Sequence, residues 1–109
     1  MTDDRVAAVA QLWEAHTRAL FPSRLRGTDA VGVEMVTLDA DVAGCVGVWL
    51  LRAGSLDESR CAVIAARRDE LALVLASLVG DEAVYCRRLY DMAMLILQAD
   101  IPPSGGPSD

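Results

Sequence analysis

The stretch VGVEMVTLDADVAGCVGVWLL, Val31 to Leu51, decides the fold. Its two valine-rich halves, Val31–Leu38 and Val42–Leu51, have strand length and composition. Asp39-Ala40-Asp41 separates them, and aspartate favours turns. The pattern predicts an antiparallel β-hairpin. With Leu38 opposite Ala43, one face carries Val31, Val33 and Met35 against Leu50, Val48 and Val46. The other face sets Gly32, Glu34 and Val36 against Trp49, Gly47 and Cys45. That second face is small-residued and mostly apolar, with Trp49 able to lie across Gly32. A face of this kind must be covered, by a helix or by the same face of a second subunit. Gly32, Cys45, Gly47 and Trp49 are therefore the expected interface residues.

Helical periodicity flanks this stretch on both sides. Val6, Val9, Trp13 and Leu20 recur at helical spacing, which predicts a helix over Asp4–Leu20 that Pro22 terminates. Ser55-Leu56-Asp57-Glu58 fits a capping box at the head of a helix over Leu56–Val79. A third strand over Arg60–Ala66 is the competing assignment. Gly80 suits the residue closing that helix, and Asp81 suits the cap of a last helix running to Ala99. So short a link makes the last two helices an antiparallel hairpin. The expected fold is α+β, in the order α-β-β-α-α: one globular domain over residues 1–101, followed by a polar tail over 102–109.

Composition narrows the function. The chain has 109 residues and a formal net charge of −6, which disfavours nucleic acid and anionic membranes as partners. All ten basic residues are arginine, and neither lysine nor asparagine occurs, a usage that points to a GC-rich bacterial genome. Without lysine there is no Schiff base and no P-loop lysine. The acidic start lacks the basic and apolar regions of a signal peptide, and no apolar run reaches bilayer length. Three widely spaced cysteines, Cys45, Cys61 and Cys86, fit free thiols in a reducing cytoplasm better than a disulfide framework.

Chemistry-bearing residues are sparse. His16 is the single histidine. As a general base it needs an orienting partner, and Glu14 is not placed to supply one. With one histidine and no CxxC pair, neither a metal nor a cofactor is expected. No serine sits in a nucleophile setting. Glu34, on the mostly apolar face near Trp49, is the acid most suited to anchoring a ligand. Arg18, Arg24 and Arg26 form a local positive cluster able to hold a phosphate or carboxylate. Arg67-Arg68 and Arg87-Arg88 read as solvated helix charges. These features favour a non-catalytic interaction or structural module that self-associates as a homodimer. A domain binding a small anionic or amphipathic molecule is the alternative, and an acid–base enzyme using Glu34 or His16 is the third reading.

Overall fold

The computed structural model describes residues 4–25, 29–30 and 33–100. It contains four helices: α1 (Asp4–Arg18), α2 (Met35–Leu51), α3 (Glu58–Leu75) and α4 (Gly80–Asp100). The fold is all-α, which corrects the expected α+β architecture with its β-hairpin. Residues 35–51 run as one continuous helix through Asp39-Ala40-Asp41. Among the described residues, extended pairing is confined to a two-residue antiparallel contact, Asp29–Ala30 with Val33–Glu34. Residues 60–66 are helical, so the third-strand assignment is also corrected. Gly32, Arg26 and the expected tail over 102–109 lie outside the described residues.

Helix wins over hairpin in α2 for three physical reasons. First, Met35, Leu38, Val42, Val46 and Trp49 recur every three or four residues, and all are buried. They form one stripe, which a hairpin would split between two faces. Burying side chains of this size gains about 1.5–3 kcal/mol each, more than the few tenths by which valine disfavours a helix. Second, Glu34 caps the N-terminus. Its carboxylate accepts from the Thr37 N–H at 2.9 Å, the Val36 N–H at 3.0 Å and the Thr37 hydroxyl. Third, both aspartates of the expected turn have partners on other helices. Asp39 accepts from α1 and α4, and Asp41 pairs with Arg67 of α3 at 2.8 Å.

α4 is the central element and packs on each of the other three helices. Leu89, Met92, Ala93 and Ile96 of α4 are fully buried, together with Val9 of α1 and Ile64, Leu71 and Val74 of α3. The cap of α3 is Asp57, which accepts from the Arg60 N–H at 3.2 Å, so the cap falls two residues later than Ser55. Gly80, with φ of 64°, opens α4 where the sequence suggested it would close α3.

The link from α2 to α3 turns sharply on Gly54. Its φ is 107°, and its N–H bonds back to the Trp49 carbonyl at 2.9 Å. A Cβ at this position would lie 3.2 Å from Val6 Cγ2 and 3.6 Å from the Trp49 ring. Backbone strain and crowding against α1 therefore coincide. Gly54→Ala is expected to lower the unfolding free energy by about 1–2 kcal/mol, read as a reduced midpoint in urea denaturation.

Candidate functional site

One polar cluster in the described chain joins three helices. His16 Nε2 of α1 lies 3.1 Å from Asp39 Oδ1 of α2, and the Tyr85 hydroxyl of α4 donates to the same oxygen, also at 3.1 Å. The imidazole and phenol rings pack with centroids 4.6 Å apart. Trp13 stacks on the far side of His16 at 6.1 Å, and Phe21 meets the Tyr85 ring edge-on at 5.4 Å. His16 is 6% exposed, so it is a buried residue and not the partly exposed one its position suggested. Its orienting carboxylate comes from Asp39, 23 residues away in sequence. An ionised Asp39 can only accept, so Nε2 carries the hydrogen. Nδ1 is then the bare nitrogen in the neutral ring, and it is buried without a hydrogen-bond partner. A general base must reach its substrate, and this nitrogen faces protein on all sides.

Burial and the Asp39 charge also act on two neighbouring acids. The Tyr85 phenol is raised above its ordinary value, by burial first and then by the Asp39 carboxylate. The Cys86 thiol, fully enclosed, is pushed up to about 11, again chiefly by burial, with Asp39 and Glu82 adding to it. A thiol so protonated is a small hydrophobe, not a nucleophile.

A cleft of about 590 Å³ opens beside this cluster, between the end of α1 and the start of α4. Leu20, Phe21, Pro22, Val84 and Tyr85 give it apolar walls; Asp81, Glu82 and Arg88 supply charge. A shallower hollow of about 510 Å³, lined by Leu12, Leu75 and Ala83, continues from it across Val84 and Arg88. The Arg88 guanidinium buries its Nη1 with no hydrogen-bond partner.

The residues singled out in the sequence do not converge on one site. Glu34 caps α2 in solvent, and the Thr37 hydroxyl and N–H hold its carboxyl below the usual range. Trp49 is fully buried in the core beneath α1. Arg18 is exposed and pairs with Glu14 at 2.9 Å. The Arg24 side chain lies outside the described residues, as does all of Arg26. Cys45 is buried, with its thiol 3.8 Å from the Arg60 carbonyl of α3. Gly47 lies on the outward side of α2, with open space where a Cβ would be. Among the described residues no group of three histidine, cysteine or acidic side chains is placed to hold a metal ion, and no helix is long and apolar enough to cross a membrane.

Sequence reasoning missed Asp39 and Arg88. Asp39 was absorbed into a supposed turn, and Arg88 into a solvated pair with Arg87. A helical projection of α2 places Asp39 beside the buried stripe. The projection of α4 places Arg88 four residues after Val84 and one before the buried Leu89, unlike the outward Arg87. No protein-family model, curated protein or solved structure matches the chain.

Tyr85 and Cys86 set a pH dependence. Both keep protons in the folded chain at pH values where the unfolded chain has released them, so stability falls as pH rises. The Cys86 share is fully present below about pH 9 and is lost as pH climbs towards 11. The urea midpoint is expected to fall over this range and to fall less steeply in Cys86→Ala. Equal slopes would show that the thiol does not contribute.

Proposed function

We propose that the chain is a non-catalytic module that self-associates through the outer face of α2. The observation that carries this reading is the pair Gly44 and Gly47. Glycine inside a helix costs about 1 kcal/mol relative to alanine. Yet apart from the local backbone of α2 itself and the adjoining residues, no atom of the described residues lies within 4 Å of where a Cβ would stand at either position. The fold of one chain gives no steric reason for either glycine. Close approach of a second helix does.

The rest of that face agrees. Val36, Ala40, Ala43, Gly44, Gly47 and Leu51 follow one another along the side of α2 opposite its buried stripe. They extend about 22 Å without a charged residue. The outward side of a surface helix is ordinarily polar. Here Leu51 is 89% exposed and Val36 41% exposed. The face also complements itself. In an antiparallel pair with Val36 facing Leu51 of the partner subunit near each end, Gly44 lies opposite Ala43 at the centre, where crossing helices come closest, and Gly47 lies opposite Ala40. The Glu34 end of one helix then lies beside the Arg52 end of the other. Such a two-fold, self-complementary contact is the commonest way for one chain to form a dimer.

Sedimentation equilibrium at about 10 μM is expected to give the mass of two chains, consistent with a small closed interface. Because the space at position 47 is open, Gly47→Arg should keep the helical circular dichroism of the parent and sediment as one chain. A monomeric parent at about 100 μM, or an unchanged mass in the variant, contradicts the proposal.

A further inference from the structure

We infer that the cleft between the end of α1 and the start of α4 binds an apolar molecule bearing a single carboxylate, with Arg88 as its counter-ion. This site shares no residue with the outer face of α2 and stands independently of self-association.

Six of the described arginines are neutralised by carboxylates of this chain. Arg18 pairs with Glu14, Arg52 and Arg60 with Asp57, Arg67 with Asp41 and Glu70, Arg68 with Asp69, and Arg87 with Asp91. Arg88 pairs with no carboxylate among the described residues, although the chain is acidic and supplies acids freely. Among the described residues it is also the arginine with a buried, unpartnered guanidinium nitrogen. A partly desolvated charge without a counter-ion is costly, and an anion placed against it removes that cost. Arg88 lines both hollows, so such an anion has room to enter.

The walls define the rest of the ligand. Leu20 is 90% exposed and Val84 is 58% exposed, and both line the cleft with Phe21, Pro22 and the Tyr85 ring. An apolar body laid there would cover surface that the folded chain leaves wet. Asp81 sits on the same cleft, about 10 Å along α4 from Arg88. Its charge disfavours a second negative charge on the ligand, so a monoanion suits the cleft better than a phosphate monoester. The guanidinium fork matches a carboxylate in two parallel hydrogen bonds.

Decanoate, decanol and decyl phosphate are the probes, titrated by calorimetry near pH 7.5. The parent is expected to bind decanoate at least tenfold more tightly than decanol or decyl phosphate. Arg88→Met should weaken decanoate at least tenfold and leave decanol unchanged, whereas Arg18→Met should alter neither. Leu20→Glu, at a position too exposed to affect folding, should weaken decanoate equally and keeps the test decisive if Arg88→Met fails to fold. No decanoate binding below millimolar concentration overturns the inference. So does equal affinity of the parent for decanoate and decanol, tighter binding of decyl phosphate than of decanoate, or an Arg88→Met protein that binds decanoate as the parent does.

Discussion

One carboxylate oxygen organises this molecule. Asp39 Oδ1 receives a hydrogen bond from His16 on α1 and another from Tyr85 on α4 while standing in the second turn of α2. Helix packing alone is permissive, since apolar stripes slide and rotate against one another at modest cost. A shared, half-buried acceptor is not permissive. Sliding α1 or α4 by a fraction of a turn would strand a ring nitrogen or a phenol in a mostly dry setting, at about 1–3 kcal/mol per group. With Asp39 fixed, the stripe from Met35 to Trp49 is held against α1 and α4, and Val36, Ala40, Gly47 and Leu51 are turned away from the core. Asp41, two residues on, reaches Arg67 and secures the α3 side. The exposed apolar face of α2 and the cleft beside Tyr85 both follow from that placement.

The flanking elements were readable because their signals were local and redundant. The first helix combined acidic residues, apolar spacing and a terminating proline. Asp57 and Glu58 marked the start of α3, although the cap proved to be Asp57 and not Ser55. Gly80 and Asp81 marked the break between α3 and α4. α2 was misread because its local signals conflict. Valine enrichment suggests strands, and Asp-Ala-Asp suggests a turn. Both preferences are weak beside burial of six side chains along a 17-residue helix and two tertiary carboxylate contacts. Two clues pointed the other way. Asp39-Ala40-Asp41 lacks the glycine or asparagine that tight hairpin turns favour. The interval from Met35 through Leu38, Val42 and Val46 to Trp49 keeps a helical period across the supposed turn.

The sites were less legible than the fold, because each depends on a distance that spacing cannot report. His16 was recognised as needing a carboxylate, but the carboxylate arrives from 23 residues away. Arg87 and Arg88 are adjacent and alike in sequence. One pairs with Asp91 in solvent, and the other buries a guanidinium nitrogen without a counter-ion among the described residues. Gly47 was expected to matter for close approach, and in the helix it still lies where a neighbouring backbone has room to come near. Trp49 and Cys45, expected beside it, point to the opposite side of α2 and fill the core.

The most direct test of the account is a double-mutant cycle between α2 and α4, with Asp39→Asn and Tyr85→Phe compared singly and together by urea denaturation. A shared, half-buried hydrogen bond predicts that the two losses fail to add, with an interaction energy of about 1 kcal/mol or more. Losses that sum to within about 0.3 kcal/mol would mean that Asp39 does not hold α4, and that the placement of α2 rests on something else.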